Sequence, residues 1–108
     1  MTRENNLAAM KKGLLEFVVL KVVGTGQQLY AADILARLDG TEFATQEGTL
    51  YPLLSKLRRE GFVHYEWQES SLGPPRKYYR LTLEGRDHLD DLDRYWKTID
   101  RTLAELGR

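Results

Sequence analysis

Residues 45–61, TQEGTLYPLLSKLRREG, decide the fold because they combine a buried stripe with an open polar face. Leucines recur at helical spacing along one side: Leu50, Leu53, Leu54 and Leu57. The other side carries small, polar or cationic groups: Thr45, Gly48, Thr49, Pro52 and Lys56. Such a helix can pack on a core by one face and enter a groove by the other, although an ordinary surface helix has the same pattern. Gly61 is expected to end it.

The composition restricts the function classes. A chain of 108 residues suits one domain with one core. The absence of cysteine excludes disulfides, a thiolate nucleophile and a zinc–cysteine site. The longest aliphatic run is interrupted by Lys21, far short of the roughly 20 apolar residues of a membrane span, and the start lacks a signal-peptide pattern. We therefore expect a cytoplasmic protein without a membrane partner.

The charge is balanced overall but unevenly distributed. Sixteen basic and sixteen acidic residues give a formal net charge of zero, which argues against indiscriminate binding of nucleic acid. Residues 45–80 are mildly basic, whereas residues 81–108 are acidic. This distribution allows a local phosphate-facing surface in the middle of the chain.

Two more helices are predicted before residue 45. Residues 7–23 are apolar around most of the helix circumference, so a second face of this helix is expected to meet another subunit. A helix over about 28–38 is expected to turn one side inward, with Tyr30 at its buried edge. That inner side is predicted to comprise Leu29, Ala32, Leu35 and Leu38.

A hairpin is predicted after Gly61. FVHYEWQ (residues 62–68) alternates apolar and polar residues, and RKYYRLT (76–82) places tyrosines among basic residues. Residues 70–75, SSLGPP, are expected to form an extended, projecting turn in which Pro75 limits strand pairing.

The last helix is predicted to begin after Thr82 as its N-cap. Apolar residues then fall at spacings of three and four residues, as in a heptad seam: Leu89, Leu92, Trp96, Ile99, Leu103 and Leu106. Either this helix packs along its own domain or two copies pair through it. We favour pairing because three helices and a hairpin already serve the small core.

The predicted order is helix, helix, helix, hairpin, helix, which is that of a winged helix-turn-helix: mainly α with a small β-hairpin. Residues 1–82 would be the DNA-binding domain and 83–108 a dimerisation helix, forming one compact unit. The third helix would enter the major groove, and the hairpin wing would place Arg76 and Lys77 against phosphates or a minor groove.

GTLYPLLSKLRREGFV followed by GPPRKYYRLTLEGRDHL resembles the PadR family of bacterial transcriptional regulators, over nearly the whole chain. The short chain resembles the compact subclass, in which the last helix dimerises. The resemblance implies a DNA face on the third helix and wing contacts, comprising Thr45, Thr49, Tyr51, Pro52, Lys56, Arg76, Lys77 and Tyr78. Pro74 departs from the basic or glycine residue often found there, which leaves one cation fewer in the wing.

Trp96 interrupts the seam where leucine would pack more simply, with Asp100 one turn later. An aromatic wall beside a carboxylate suits flat or cationic molecules, although a plain dimer-core tryptophan fits as well. Some PadR regulators of the compact subclass bind flat aromatic drugs between paired tryptophans at this place. The expected effector residues are Leu14, Leu15, Trp96 and Asp100.

Catalysis is not indicated. His64 and His88 are isolated, the aspartates near residue 91 fit a solvated helix face, and no nucleophile has a base beside it, so we expect no metal, cofactor or enzymatic activity. Trp67 and Tyr79 are expected to serve core and cross-strand packing.

Taken together, the residues and the resemblance predict a homodimeric repressor that binds an inverted-repeat operator and is released by a small effector at the dimer interface. The alternative is a dimeric winged-helix interaction module that does not read DNA, which the zero net charge favours.

Overall fold

The computed structural model describes residues 3–26 and 28–108. Residues 1, 2 and 27 of the expected 1–82 domain lie outside the described residues. The elements follow the predicted order: α1 (Arg3–Val23), α2 (Ala31–Leu38), α3 (Glu47–Arg59), β1 (Val63–Ser70), β2 (Gly73–Leu81) and α4 (Leu83–Leu106). The two strands pair antiparallel, and the mainly helical class with a small hairpin is confirmed. None of the helices in the described ranges is long and apolar enough to cross a membrane.

The first two helices begin elsewhere than predicted. α1 starts at Arg3 instead of residue 7. α2 starts at Ala31 instead of residue 28, because the Tyr30 amide donates to the Asp33 carboxylate at 3.2 Å and so caps the helix there. Leu29 instead forms an antiparallel bridge to β2, with the Tyr79 amide donating to its carbonyl at 2.8 Å.

The inner face predicted for the second helix is confirmed except at Ala32: Leu29 and Leu38 are buried, and Leu35 packs against the core. Ala32 is exposed, whereas Ala31, Ile34 and Leu38 are buried. The later start explains the difference, since Leu29 is no longer part of the helical pattern.

The core lies where α1, α2, α3 and the hairpin meet. The predicted leucine stripe of α3 is confirmed: Leu50, Leu54 and Leu57 are buried, and Leu53 packs against the cluster from its edge. α1 contributes its C-terminal residues, and Tyr79 and Leu89 close the cluster from the wing and from α4. The buried members are Val19, Leu20, Val23, Leu29, Ala31, Ile34, Leu38, Leu50, Leu54, Leu57, Val63, Tyr79 and Leu89.

α3 begins at Glu47, so Thr45 precedes the helix and Pro52 lies in its second turn. Pro52 has no amide N–H, so the Gly48 carbonyl receives no helical hydrogen bond from it. The helix ends as predicted at Gly61, whose φ of 84° is favourable for glycine. The Gly61 amide donates to the Arg58 carbonyl and the Phe62 amide to the Leu57 carbonyl, which completes a Schellman cap.

The prediction of an extended turn over residues 70–75 was wrong. Only Ser71 and Leu72 separate the strands. Gln68 pairs with Arg76 and Ser70 with Gly73, so β2 carries one extra residue and the register shifts there. The prolines at 74 and 75 cannot donate to the ladder, and this irregularity accommodates them. We call residues 63–81 the wing.

Thr82 caps α4 as predicted. Its hydroxyl accepts from the Gly85 amide at 2.9 Å and donates to the Gly61 carbonyl at 2.6 Å. In the first turn of the helix, Gly85 packs closely against Phe62, the residue that precedes the wing. An added Cβ would lie 1.9 Å from the Phe62 carbonyl oxygen. The glycine that follows RKYYRLT by three residues therefore allows α4 to dock against the wing.

Candidate nucleic-acid interface

The exposed surface of α3 has three sides. Its outward side, opposite the buried leucines, carries Gly48, Pro52, Ser55 and Arg59, all exposed. The side toward α1 carries Thr49 and Lys56. The side toward the wing carries Tyr51 and Arg58. The residues predicted to contact DNA are thus spread over all three sides.

Lys56 is held by carboxylates of its own chain. Its ammonium lies 2.8 Å from Glu16 of α1 and 3.8 Å from Glu60 one turn later. The hydrogen bond and charge of Glu16 raise the pKa of Lys56, so the side chain keeps its proton. A phosphate contact by Lys56 would compete with Glu16 for this charge.

Aromatic rings hold the predicted wing cations. The Arg76 guanidinium lies 4.5 Å from the centre of the Tyr30 ring. The Tyr78 ring packs edge-on against the Tyr30 ring, with 5.6 Å between the two ring centres. The Lys77 ammonium lies 4.5 Å from the Tyr65 ring centre and 5.3 Å from that of Trp67. These cation–π contacts restrict both side chains before any ligand arrives.

A groove of about 390 Å³ separates the wing from the N-terminal ends of α2 and α3. It brings together Tyr51, Arg76 and Lys77 of the predicted set, with the acidic Glu47 also on its wall. Thr49, Pro52 and Lys56 lie outside it. We call this the wing groove; its lining is Tyr30, Ala31, Ala32, Glu47, Tyr51, Trp67, Pro75, Arg76, Lys77 and Tyr79.

The packing prediction was correct for Tyr79 and incomplete for Trp67. Tyr79 is buried, and burial raises the pKa of its hydroxyl. Trp67 pairs across the strands with Lys77 but is 61% exposed and lines the wing groove instead of the core.

Arg58 and Arg59 were not among the residues predicted to contact DNA. In the structure both line a second cleft between α3 and the wing. Placing the helix positions relative to the buried leucines would have indicated that Arg59 lies outward and Arg58 toward the wing.

A third cavity lies between α1 and α4, and no wing residue is in its lining. This tryptophan cleft has a volume of about 210 Å³ and is lined by Leu14, Phe17, Val18, Phe43 and Trp96. Of the predicted effector residues, Leu14 and Trp96 meet there. Leu15 packs against the core instead, and Asp100 is exposed and does not line the cleft.

The elements and their connections define a winged helix-turn-helix protein. The Transcriptional regulator PadR-like family model matches residues 19–91, and the chain belongs to that family. It is therefore a DNA-binding transcriptional regulator and not an enzyme, as the residue pattern and the resemblance predicted.

Solved structures of similar proteins cover almost the whole chain. A PadR-like transcription factor from Bacteroides fragilis is 39% identical, with a TM-score of 0.81 over 94% of this chain and 98% of its own. A PadR-like regulator from Bacillus cereus is 31% identical, with a TM-score of 0.80 over 93% and 97%. An uncharacterised protein of Lysinibacillus sphaericus is 25% identical over 91 residues, or 82% of this chain and 83% of that protein.

Proposed function

We propose that the protein is a homodimeric transcriptional repressor that binds an inverted-repeat operator in the cytoplasm and is released by a small aromatic or cationic effector. The observation that carries the DNA assignment is the position of α3 beside the wing. Tyr51 of α3 shares the wing groove with Arg76 and Lys77, which aromatic rings restrict. A helix for the major groove therefore lies next to cations suited to the flanking phosphates.

Within this proposal the contacts divide by position. Thr45, Thr49, Tyr51 and Pro52 lie at or near the N-terminal half of α3 and would face base edges. Arg76, Lys77 and Tyr78 would contact the backbone from the wing. Lys56 would exchange Glu16 for a phosphate when DNA binds.

The shape of a single chain supports dimerisation. Its radius of gyration is 15.9 Å, whereas a compact chain of this length has about 13 Å. α4 buries only Gly85 and Leu89, both near its start. Beyond them in the predicted seam, Leu92 packs against the core and Ile99 is half-buried, whereas Trp96, Leu103 and Leu106 are 46%, 64% and 78% exposed.

α1 supplies the other half of this open apolar face. Lys21 pairs with Asp93 at 2.8 Å, and Phe17 shares a cleft with Trp96, so the helices run antiparallel. If the two helices continue antiparallel, the exposed Met10 and Leu7 of α1 lie beside Leu103 and Leu106 of α4. A second copy placed across a two-fold axis would cover both helices.

The tryptophan cleft supports the effector assignment. About 210 Å³ within one chain is less than the roughly 300 Å³ of the smallest usual ligand pockets. A partner's α4 laid on the open face would extend the cleft, and a flat molecule could then stack on Trp96. Because α4 follows the wing directly, a change at this interface would alter the separation of the two α3 helices. A tenfold loss of DNA affinity needs about 1.4 kcal/mol of coupling.

Fluorescence anisotropy with labelled DNA from upstream of the protein's own gene tests DNA binding. We expect salt-dependent binding that prefers this DNA to random sequence and two half-sites roughly 34 Å apart. Arg76→Ala should weaken binding to all sequences and reduce the log–log salt slope by about 0.9 if it contacts one phosphate. Lys97→Ala, an equal charge change on exposed α4, is the control. Failure of the unmodified protein to bind would refute the proposal and favour the interaction module.

Sedimentation tests the dimer. Leu103→Glu with Leu106→Glu should give folded monomers, because pairing would bury both charges. Leu72→Glu, at the fully exposed wing tip, is the matched control and should remain dimeric. A dimer that survives the α4 double substitution would place the subunit interface elsewhere.

Tryptophan fluorescence tests the effector site. The chain has two tryptophans, so a Trp67→Phe background leaves Trp96 as the only reporter. An acridine dye, a planar aromatic cation, should quench it and displace operator DNA. Trp96→Leu should dimerise and bind DNA, but the dye should no longer displace the DNA. If the leucine variant still releases DNA, the effector site does not include Trp96.

A further inference from the structure

The C-terminal half of α3 and the wing enclose a cleft of about 260 Å³. Of the residues predicted to contact DNA, only Lys77 lines it. We call it the basic cleft; it is lined by Leu54, Ser55, Arg58, Arg59, Tyr65, Lys77 and Tyr79. Three of these residues are cationic, and no acidic residue lines the cleft. Such a concentration is notable in a chain whose net charge is zero.

Tyr65 gathers two of the cations onto one ring. The Arg58 guanidinium carbon lies 4.8 Å and the Lys77 ammonium 4.5 Å from its ring centre. Tyr65 is half-buried between Tyr79 and Trp67, so its own position is fixed by packing. Two like charges held by one ring repel each other, and an anion between them would relieve this repulsion.

Three other cations of the helices and the wing pair with carboxylates. Lys56 pairs with Glu16, Lys21 with Asp93 and Arg80 with Glu66. Within residues 3–26 and 28–108, Arg58, Arg59 and Lys77 form no ion pair with a carboxylate. Their charges are therefore available to a ligand.

We infer that the basic cleft is a phosphate-binding site for the DNA backbone. Arg58, Arg59 and Lys77 supply the charge, and Tyr65 is the positioning residue. The planar guanidinium groups offer the paired donors that phosphate oxygens accept. A phosphate held here would fix the C-terminal end of α3 and so set how deeply its N-terminal half enters the groove. The inference rests on the proposed DNA binding and adds an anchor to it.

Salt dependence of DNA binding measures the anchor. Arg58→Gln with Arg59→Gln should reduce the log–log salt slope by about 0.9, the value for one lost phosphate contact. The loss should be equal on operator and random DNA, since a backbone contact carries no sequence information. Arg94→Gln with Arg101→Gln, on exposed α4, removes the same charge far from the cleft and should leave the slope nearly unchanged.

Tyr65 has its own test. Tyr65→Phe keeps the ring and should retain the parental slope, whereas Tyr65→Leu removes the platform and should lower it. Both variants are compared by urea unfolding, so that a general loss of stability is separated from a loss of positioning. If a folded Tyr65→Leu protein keeps the parental slope, Tyr65 is not the positioning residue.

The source of the phosphate is settled by titration of arginine side-chain NMR signals. A short DNA duplex should saturate the Arg58 and Arg59 shifts, and millimolar inorganic phosphate should not. Saturation by inorganic phosphate, together with an unchanged DNA salt slope in the double arginine variant, would overturn the inference in favour of a free phosphate ligand. An unchanged slope refutes the anchor alone, whereas no DNA binding by the unmodified protein refutes the proposed function as well.

Discussion

The two halves of α4 continue one apolar pattern and have opposite surroundings. In the near half, residues 83–92, Gly85 and Leu89 are buried against the chain's own wing and core. In the far half, residues 93–106, the apolar side chains are mostly open, and Leu106 is 78% exposed. The heptad spacing of three and four residues does not change between them.

This difference shows what an apolar period specifies. It identifies the side of a helix that will be covered, because residues three and four apart share that side. It does not identify the covering surface, which depends on where the rest of the chain ends. The near half meets its own core, and the far half extends beyond it.

The largest effect is expected at Gly85 in the near half. Gly85→Ala would place a Cβ 1.9 Å from the Phe62 carbonyl oxygen. Because backbone and not a flexible side chain must move, we expect a loss of about 3 kcal/mol or more in the free energy of unfolding. Urea denaturation measures it.

Gly13→Ala is the matched control for that substitution. Gly13 is also a helical glycine, but apart from its chain neighbours and the backbone of its own helix no atom lies within 4 Å of an added Cβ. Alanine should therefore stabilise α1 by up to about 1 kcal/mol. If Gly85→Ala were also neutral or stabilising, the close docking of α4 on the wing would be wrong.

Leu89→Ala and Leu103→Ala compare the halves directly. Leu89 is 7% exposed in the core cluster, so its truncation should cost about 2–4 kcal/mol at any protein concentration. Leu103 is open in the single chain, so its truncation should matter only where the proposed dimer forms and should therefore depend on concentration. Unfolding at two concentrations separates these outcomes. A concentration-independent loss for Leu103→Ala would mean that its own chain covers it.

The parts of the fold that local chemistry specifies were predicted from the sequence. The leucine stripe of α3, its glycine end and the Thr82 cap all depend on residues within a few positions of each other. The errors arose where distant segments compete. Leu29 fits a helical pattern, but the edge of β2 uses its carbonyl, and α2 therefore starts later. The double proline at 74–75 was taken for a turn, although a register shift places it within β2.

The candidate site was less predictable, because a helical face does not show which neighbour lies beside it. Lys56 was assigned to the open face of α3, yet Glu16, forty residues earlier, lies 2.8 Å from it. Arg58 lies beside Tyr65 only because the wing folds back on α3. Phe43 lies in a short loop without a pattern, and only the tertiary fold brings it to Trp96.

A smaller effect is expected from the cap of the near half. Thr82→Ala removes the acceptor for the Gly85 amide and the donor to the Gly61 carbonyl, which should cost about 1–2 kcal/mol. Thr98→Ala in the far half removes an exposed hydroxyl that donates to the Arg94 carbonyl of the preceding turn and accepts from the Arg101 guanidinium at 3.5 Å. Because alanine has the higher helix propensity, that variant should be neutral or slightly more stable. Thermal unfolding of the two variants measures this difference. An equal loss of stability in Thr82→Ala and Thr98→Ala would contradict the contrast between the two halves of α4.

The smallest effect concerns acid and the loop beside the far half. Glu42 pairs with Lys11 of α1 at 2.9 Å, next to Phe43 of the tryptophan cleft. The hydrogen bond and charge of Lys11 lower the pKa of Glu42 below its ordinary 4.5. The stability from this pair is therefore fully present above pH 4.5 and is lost as the pH falls through the lowered value.

Glu42→Gln should be less stable than the parent at pH 7, and this gap in the free energy of unfolding should shrink at pH 3. Lys11→Gln should abolish the pH dependence of that gap, since Glu42 then has no cation to lower its pKa. Because both side chains are exposed, added salt should narrow the gap at pH 7 as well. A gap that is the same at both pH values would mean that the pair does not hold the loop to α1 in solution, and that Phe43 owes its place in the tryptophan cleft to apolar packing alone.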